Sequence, residues 1–183
     1  RIKTYKNNMT NRISAILICL FCAFTVNAQT TKPFSIGEIK TINSKILAEV
    51  RTLNIYLPNG YNDKEKYPVI YLLDGSANED FLHIAGLVQF FNMTFNMPKT
   101  IIVGIANVDR KRDFTFPAKI EKFKKMHPVT GGSAKFIDFL EKELQPYIKA
   151  NYKTNDSTYL IGQSLGGLVA SEILLKKPDL FSN

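Results

Sequence analysis

The pattern of hydrophobic and polar residues predicts a sheet that begins with an antiparallel pair and continues with parallel strands. Residues 36–42 and 46–57 are predicted to form the antiparallel pair, and the second segment alternates apolar and polar side chains. Residues 67–73, 99–106 and 158–161 are short and almost continuously apolar, which is typical of parallel strands buried on both faces.

Helices are predicted between and after the buried strands. Residues 79–92 and 165–177 carry apolar side chains at helical spacing. Another helix is expected to begin with Ser133 as its cap and to be kinked at Pro146, whereas residues 107–132 are expected to form a long loop. Alternating strands and helices predict an α/β fold, in which helices cover both faces of a mostly parallel sheet.

The first 28 residues are predicted to be an export signal. Basic residues without acidic ones precede an apolar run over residues 13–26, which is too short to span a bilayer comfortably. The run ends in Val26-Asn27-Ala28, which suits a signal peptidase, and residues 1–8 are consistent with upstream read-through before a start at Met9. We therefore expect an exported protein, periplasmic or secreted, that meets a membrane only through this segment; an N-terminal anchor is the alternative.

Residues 29–183 are predicted to belong to one globular domain of ordinary composition. The chain is 45% hydrophobic and 22% charged, as in globular proteins. Its net charge of +8 includes basic residues of the predicted signal, and the others are dispersed, so we expect no nucleic-acid partner. Cys19 and Cys22 both lie in the signal, which excludes disulfides and a cysteine nucleophile from the mature domain. Neither a metal nor an organic cofactor is expected, because no ligand spacing or phosphate-binding glycine loop is present.

The most informative motif is Gly162-Gln163-Ser164-Leu165-Gly166-Gly167. It follows a short apolar strand and opens an apolar helix, which is the arrangement of a nucleophile elbow. In such a turn the serine backbone is strained, and Gly162 and Gly166 are expected to prevent collisions with the neighbouring strand and helix. Ser164 would then project above the carboxyl edge of the sheet, and the N–H of Leu165 would be an oxyanion donor. The alternative is that Ser164 only caps a helix.

A second oxyanion donor is expected from the loop after the first buried strand. That loop is Leu73-Asp74-Gly75-Ser76. Gly75 would allow the backbone to approach a bound ester, and the N–H of Gly75 or, alternatively, that of Ser76 would be the donor. An Asp-Gly pair is also a common turn without chemistry.

Taken in this order, these segments resemble the putative-esterase family of α/β-hydrolases. That family includes esterase D-like enzymes, siderophore (enterochelin-type) esterases and mycolyltransferases. The resemblance covers about residues 35–183, and it depends on residues 67–75, on residues 102–107 with 109–115, and on the elbow motif. The siderophore-esterase-like branch is the most similar, through residues 109–115.

The resemblance implies that residues 109–115 lie beside the active site at the carboxyl edge of the sheet. Asp74, Arg110 and Arg112 are then candidate substrate contacts, and the two arginines would meet an anionic or polyhydroxy substrate. The alternative is a loop held by its own ion pairs, formed among Asp109, Arg110, Arg112 and Asp113.

The remaining members of a catalytic triad are expected outside this chain. In this fold the chain order is serine, acid, histidine. His83 and His127 both precede Ser164, and neither Glu172 nor Asp179 is placed as the acid. We therefore expect the chain to be the N-terminal part of an esterase domain without its C-terminal strands. Such a fragment would be nearly inactive, and an open apolar strand edge would favour aggregation.

The residues together predict a serine carboxylic-ester hydrolase that forms an acyl-enzyme at Ser164. Its partner would be a small-molecule ester or thioester; a siderophore lactone, a sugar acetate and a thioester all remain open. Two other functions stay open, namely an acyltransferase of the same fold and a non-catalytic binding module that lost the triad. The sequence leaves the oligomeric state undetermined.

Overall fold

The computed structural model describes residues 31–182, and the helices and strands of that range all lie after Ser35. The predicted export signal, residues 1–28, is outside the described residues. Between residues 31 and 182, every helix is too short or too polar to cross a membrane.

Five strands form one mixed sheet in the order β1-β2-β4-β3-β5. The strands are β1 (Glu38–Ser44), β2 (Glu49–Tyr56), β3 (Tyr67–Leu72), β4 (Ile101–Ile105) and β5 (Thr154–Ile161). The β1–β2 and β2–β4 pairs are antiparallel, whereas β3 is parallel to both β4 and β5. The predicted antiparallel pair leading into a parallel sheet is confirmed.

Helical segments follow β3, β4 and β5. They are α1 (Phe81–Thr94), α2 (Arg110–Asp113), α3 (Glu121–Met126), α4 (Ser133–Phe139), a π-helical segment (Leu140–Leu144), α5 (Gln145–Asn151) and α6 (Leu165–Lys176). Helices cover both faces of the sheet, as predicted. On one face Val69 and Val103 share a core with α4, α5 and α6, and on the other face Ile70 and Ile102 pack against α1.

The helical part of the chain differs from the prediction in three places. Residues 107–132 are not a plain loop, because they contain α2 and α3; α3 buries none of its residues and so leaves no apolar pattern in the sequence. Gly132, and not Ser133, is the N-cap of α4, and the buried Ser133 hydroxyl has no hydrogen-bond partner among residues 31–182. Third, a π-helical segment that the sequence analysis did not predict precedes α5, whereas the kink at Pro146 stays a prediction.

The sheet topology brings three loops to the same edge. Every residue of β3 and β4 is buried, so these two strands form the rigid centre of the sheet. Because β3, β4 and β5 are parallel, their carboxyl ends meet at one edge, where ligands bind in open α/β sheets. The loops that follow them, residues 73–80, 106–109 and 162–164, therefore lie together.

Candidate functional site

Ser164 occupies a strained turn between β5 and α6. Its backbone has φ 54° and ψ −118°, a conformation that is uncommon for a residue with a side chain and costs about 1–3 kcal/mol. The turn is closed by Gly166 N–H, which donates to Gln163 O at 2.8 Å, and by Leu168 N–H, which donates to Ser164 O at 3.0 Å. The Ser164 side chain is exposed and makes no capping hydrogen bond, so the structure favours the elbow over a simple helix cap.

Of the three elbow glycines, only Gly162 has no room for a side chain. A Cβ at Gly162 would lie 2.6 Å from the carbonyl carbon of Gly166 and 3.0 Å from Leu73 Cδ1. A Cβ at Gly166 would lie no closer than 3.4 Å to its nearest neighbour, Asp74 Oδ2, and one at Gly167 no closer than 3.5 Å. The predicted collision is therefore confirmed at Gly162 and wrong at Gly166, where a methyl group would make ordinary van der Waals contacts.

Gly75 holds the loop after β3 against the sheet. Its N–H donates to Ile105 O at 3.0 Å, and its carbonyl accepts a hydrogen bond of 2.7 Å from Asn54 Nδ2. A Cβ here would overlap the backbone of Gly104, so glycine is needed for this close approach. The prediction of Gly75 as an oxyanion donor is wrong, because β4 already uses its N–H. The next amide, that of Ser76, donates to no acceptor among the described residues.

The N–H of Leu165 is the other amide predicted to stabilise an oxyanion. Leu165 is the first residue of α6, and its N–H has no acceptor among residues 31–182. The first amides of a helix have no intrahelical partner, and they carry the positive end of the helix dipole. Ser76 and Leu165 thus present unbonded amides from the loops after two neighbouring parallel strands.

Asp74 is a buried carboxylate at the centre of the same edge. Arg110 binds it with two hydrogen bonds, from Nε to Oδ1 at 2.6 Å and from Nη2 to Oδ2 at 2.9 Å. Asn107 Nδ2 donates to Oδ1 at 2.7 Å. The bonds to Asp74 raise the pKa of Arg110, so its positive charge is firmly held. Both oxygens of Asp74 have intramolecular donors, whereas Arg110 Nη1 makes no hydrogen bond within the described residues.

Arg112 belongs to a separate group of charges beneath the edge. It donates to Asp113 Oδ1 at 2.7 Å and to both oxygens of Glu49 on β2, at 2.7 and 3.0 Å. The fully buried Arg51 binds the same two carboxylates, at 2.6 Å to Asp113 and 2.9 Å to Glu49. Burial alone would raise the pKa of Glu49, but the hydrogen bonds from both arginines outweigh it and lower that pKa.

Residues 109–115 lie at this edge of the sheet, as the resemblance implied, and Arg112–Asp113 is the one ion pair that the described residues form within the segment itself. The carboxylates that hold it come mainly from outside the loop, namely Asp74 for Arg110 and Glu49 for Arg112. Asp109 makes no ion pair among the described residues; its Oδ1 instead accepts the N–H of Arg112 at 3.0 Å and caps α2. Arg112 is therefore engaged by the fold, whereas Arg110 still has one side of its guanidinium open.

Three side-chain hydrogen bonds that the sequence analysis did not predict complete the site. Gln163 Nε2 donates to Asp80 Oδ2 at 2.8 Å, which joins the elbow to the loop after β3. Asn54 binds the carbonyl of Gly75, and Asn107 binds Asp74. Nothing local in the sequence marks Asn54, because β2 also contains Glu49, Arg51 and Thr52, and nothing local marks the Gln163–Asp80 pair.

An apolar groove lies next to the elbow. It has a volume of about 410 Å³ and runs between Leu168 and the segment 115–130, with Phe116, Ile120 and Phe123 in its lining. Leu168 is one helical turn after Ser164. The groove thus offers an apolar surface close to the predicted nucleophile.

Neither histidine of the chain contacts the elbow serine. His83 is exposed on α1, and His127 is exposed at the end of α3. Within residues 31–182, the Ser164 hydroxyl makes no hydrogen bond to any base. The described residues thus bring together the predicted nucleophile and two amides, without a proton acceptor.

Comparisons with known proteins agree with this arrangement. The chain is 34% identical over 176 residues to the ferri-bacillibactin esterase BesA of Bacillus subtilis (strain 168), which covers 85% of this chain and 59% of that protein. The IroE-like serine hydrolase from Shewanella oneidensis has a TM-score of 0.70 and 41% identity, covering 80% of this chain and 48% of that one. The BES protein from Bacillus cereus has a TM-score of 0.70 and 29% identity, covering 85% and 63%.

These relatives are longer than this chain, which spans 59%, 48% and 63% of their respective lengths. The family model described as putative esterase matches residues 44–183, a range that contains β2 to α6 and the elbow. The resemblance seen in the sequence is thereby confirmed, and this chain belongs to the putative esterase family, on the siderophore-esterase-like side of the α/β-hydrolases.

Proposed function

We propose that this chain carries the nucleophile of a serine carboxylic-ester hydrolase, and that Ser164 forms the acyl-enzyme. The observation that carries the proposal is the positive φ of Ser164 at an exposed strand-to-helix turn, with Gly162 required by space behind it. Strain of this kind persists where the surrounding structure enforces it, and it concentrates at functional sites. The membership in an esterase family supports the same conclusion.

The proposed reaction follows from the groups at the sheet edge. Ser164 Oγ attacks the carbonyl carbon of the ester while a histidine accepts its proton, and the oxygen of the tetrahedral intermediate accepts hydrogen bonds from Leu165 and Ser76 N–H. The bond to the alcohol oxygen then breaks, and the alcohol leaves with the proton. Water attacks the acyl-enzyme in the same way, which releases the acid and restores the serine.

The histidine and its acidic partner are proposed to come from residues outside the described range 31–182. Two facts support this proposal. Neither His83 nor His127 makes a hydrogen bond to Ser164 among the described residues, and the chain spans only 59% of the ferri-bacillibactin esterase. A serine without a base is a weak nucleophile at neutral pH, so we expect residues 1–183 alone to be nearly inactive.

The proposed substrate is an ester of a ferric siderophore. The name of the ferri-bacillibactin esterase supports this substrate class, because that protein is 34% identical to this chain. The open side of Arg110 would donate a hydrogen bond to an oxygen of the substrate, because Asp74 already neutralises its charge, and the groove along Leu168 would receive an apolar or aromatic part of it. An acetylated sugar and a thioester are the competing substrate classes.

The test compares Ser164→Ala with Ser171→Ala in the gene product expressed from the whole reading frame. Ser171 is an exposed serine on the same helix, and its hydroxyl donates to Gly167 O within that helix. We expect Ser164→Ala to lower kcat at least about 10³-fold, as loss of a nucleophile does, while Ser171→Ala keeps the rate. Equal rates for Ser164→Ala and the wild type would refute the proposed nucleophile.

The substrate class and the reaction type are tested in the same assay. A ferric catecholate lactone, an acetylated sugar and an acyl thioester are compared by kcat/KM, and the siderophore ester should be preferred by at least tenfold, about 1.4 kcal/mol. An added alcohol distinguishes hydrolysis from acyl transfer, because a transferase would yield a new ester instead of the free acid. Preference for the sugar or the thioester would overturn the substrate proposal and leave the nucleophile standing.

A further inference from the structure

A hydrogen bond between two side chains links the elements that carry the proposed oxyanion donors. Gln163 Nε2 donates to Asp80 Oδ2 at 2.8 Å. Gln163 directly precedes Ser164 on the elbow, and Asp80 closes the loop that contains Ser76. The two amides come from chain segments about ninety residues apart in sequence, so their separation depends on contacts of this kind.

Both ends of the bond are fixed to the backbone around them. The carbonyl of Gln163 accepts Gly166 N–H at 2.8 Å and lies 3.4 Å from Arg110 Nη2. The N–H of Asp80 donates to Asp74 O at 3.0 Å, which closes the loop on itself. A displacement of Gln163 would therefore move the turn that carries the Leu165 N–H, and a displacement of Asp80 would move the loop that carries the Ser76 N–H.

We propose that Gln163 and Asp80 are positioning residues, whose hydrogen bond holds the N–H of Ser76 at the separation from the N–H of Leu165 that a single oxyanion requires. This inference rests on the proposed function. Oxyanion stabilisation needs donors within about 2.7–3.1 Å of the oxygen, and a misplacement of about 1 Å can cost about 10²-fold in rate.

A purely structural role gives different expectations. Gln163 is exposed and Asp80 is half-buried, so the bond between them contributes only about 1 kcal/mol to folding. A positioning role predicts a loss in kcat and in binding of a tetrahedral adduct, with little change in stability or in KM. The readouts therefore separate the two roles.

The experiment uses the gene product from the whole reading frame, four single variants, the double variant of Gln163→Ala and Asp80→Ala, and Ser164→Ala. Gln163→Ala and Asp80→Ala remove the bond, whereas Asp80→Asn removes the charge but keeps an acceptor oxygen for Gln163. Asn78→Ala is the control, since Asn78 lies on the same loop, is exposed and makes no side-chain hydrogen bond among the described residues. Hydrolysis of an aryl ester and inhibition by an arylboronic acid, which forms a tetrahedral adduct with a serine, are measured for each.

We expect each alanine variant at positions 163 and 80 to lower kcat about tenfold and to weaken boronate binding by the same factor, with KM within about twofold. The double variant should be no slower than either single one, because both remove one interaction. Asp80→Asn and Asn78→Ala should behave like the wild type. Additive losses, an equal loss in Asp80→Asn and Asp80→Ala, or unchanged kcat in Gln163→Ala would each overturn the inference.

Failure of the proposed function has its own signature. If Ser164→Ala hydrolyses the ester at the wild-type rate and no boronate adduct forms, the nucleophile itself is wrong. If Ser164→Ala is inactive while Gln163→Ala keeps the full rate, only the positioning role is refuted.

Discussion

Substitution of Gly162 by alanine tests how tightly the elbow is built. A Cβ at this position would lie 2.6 Å from the carbonyl carbon of Gly166, 2.7 Å from its oxygen and 3.0 Å from Leu73 Cδ1. Two of these three atoms belong to the backbone of α6, which cannot rotate away as a flexible side chain can. Gly166 is also held by its N–H bond to Gln163 O. The methyl group must therefore push β5 and α6 apart or open the turn at Ser164.

The expected cost follows from this geometry. Inserting a methyl group into a well-packed region costs about 1–3 kcal/mol, and the backbone contacts place Gly162→Ala near the upper end. For a protein of this size each kcal/mol lowers Tm by roughly 2–4 °C, so we expect a loss of roughly 6–12 °C. The displaced Ser164 should also lose hydrolytic activity by a larger factor than the stability change explains.

Gly86→Ala is the matched control for this experiment. Gly86 lies inside α1, and an added Cβ would meet no atom within 4 Å. Alanine is favoured over glycine in a helix by about 1 kcal/mol, so this variant should be more stable than the wild type. Thermal and urea unfolding, both followed by circular dichroism, measure the Tm and the free energy of unfolding of both variants in the gene product from the whole reading frame.

The two glycine variants should therefore change stability in opposite directions. Equal stability of Gly162→Ala and the wild type would show that the turn has room for a side chain. A similar loss in Gly86→Ala would show that any glycine replacement harms this protein, and either result would refute the argument for a tight elbow.

Two further predictions concern the residues beneath the site and at the first strand. Arg51→Met leaves the buried Asp113 without one of its two arginines and should lower the free energy of unfolding by about 3 kcal/mol in urea. Lys124→Met removes an exposed ion pair and should change the free energy of unfolding by less than about 0.5 kcal/mol. Equal effects of the two variants would contradict a structural role of the buried pair. Tyr152 Oη donates to Glu38 at 2.8 Å and lowers the pKa of that carboxyl below its ordinary value of 4.5. A pKa depressed in the folded state adds stability above the unfolded-state value, and this stability is lost as the pH falls through the folded-state value. Tyr152→Phe should therefore be less stable than the wild type at about pH 7, with a smaller difference at about pH 3.5; a difference that does not change with pH would exclude this linkage.

The centre of the fold could be predicted because its physical signal is local. β3 and β4 are buried throughout, and a short, continuously apolar run with turns on both sides is typical of a parallel strand covered on both faces. The first half of β5, residues 154–157, was missed because it is polar and only partly buried at the last strand of the sheet. Helix α3 was missed for a related reason, since a helix that buries nothing needs no apolar stripe.

The site could be predicted only in part, and sequence separation explains the difference. The strained turn at Ser164 is specified by its immediate neighbours, and a short motif is enough to recognise it. The engagement of the Gly75 N–H depends on how β3 and its loop register against β4, which a single sequence does not encode locally. The partners Arg110–Asp74 and Gln163–Asp80 are 36 and 83 residues apart, so only the folded chain brings them together.

The backbone strain at the sheet edge indicates what the contacts of Arg110 with Asp74 and Gln163 contribute to the fold. Asp74 and Ser164 have positive φ values of 53° and 54°, and they follow the neighbouring parallel strands β3 and β5. Strain of about 1–3 kcal/mol at each position must be offset by the contacts around it. Arg110 provides such contacts to both loops, because its guanidinium holds both oxygens of Asp74 and approaches the carbonyl of Gln163. The residue proposed to bind a substrate oxygen is thus also one of the contacts between the two strained loops, in addition to the hydrogen bond between Gln163 and Asp80.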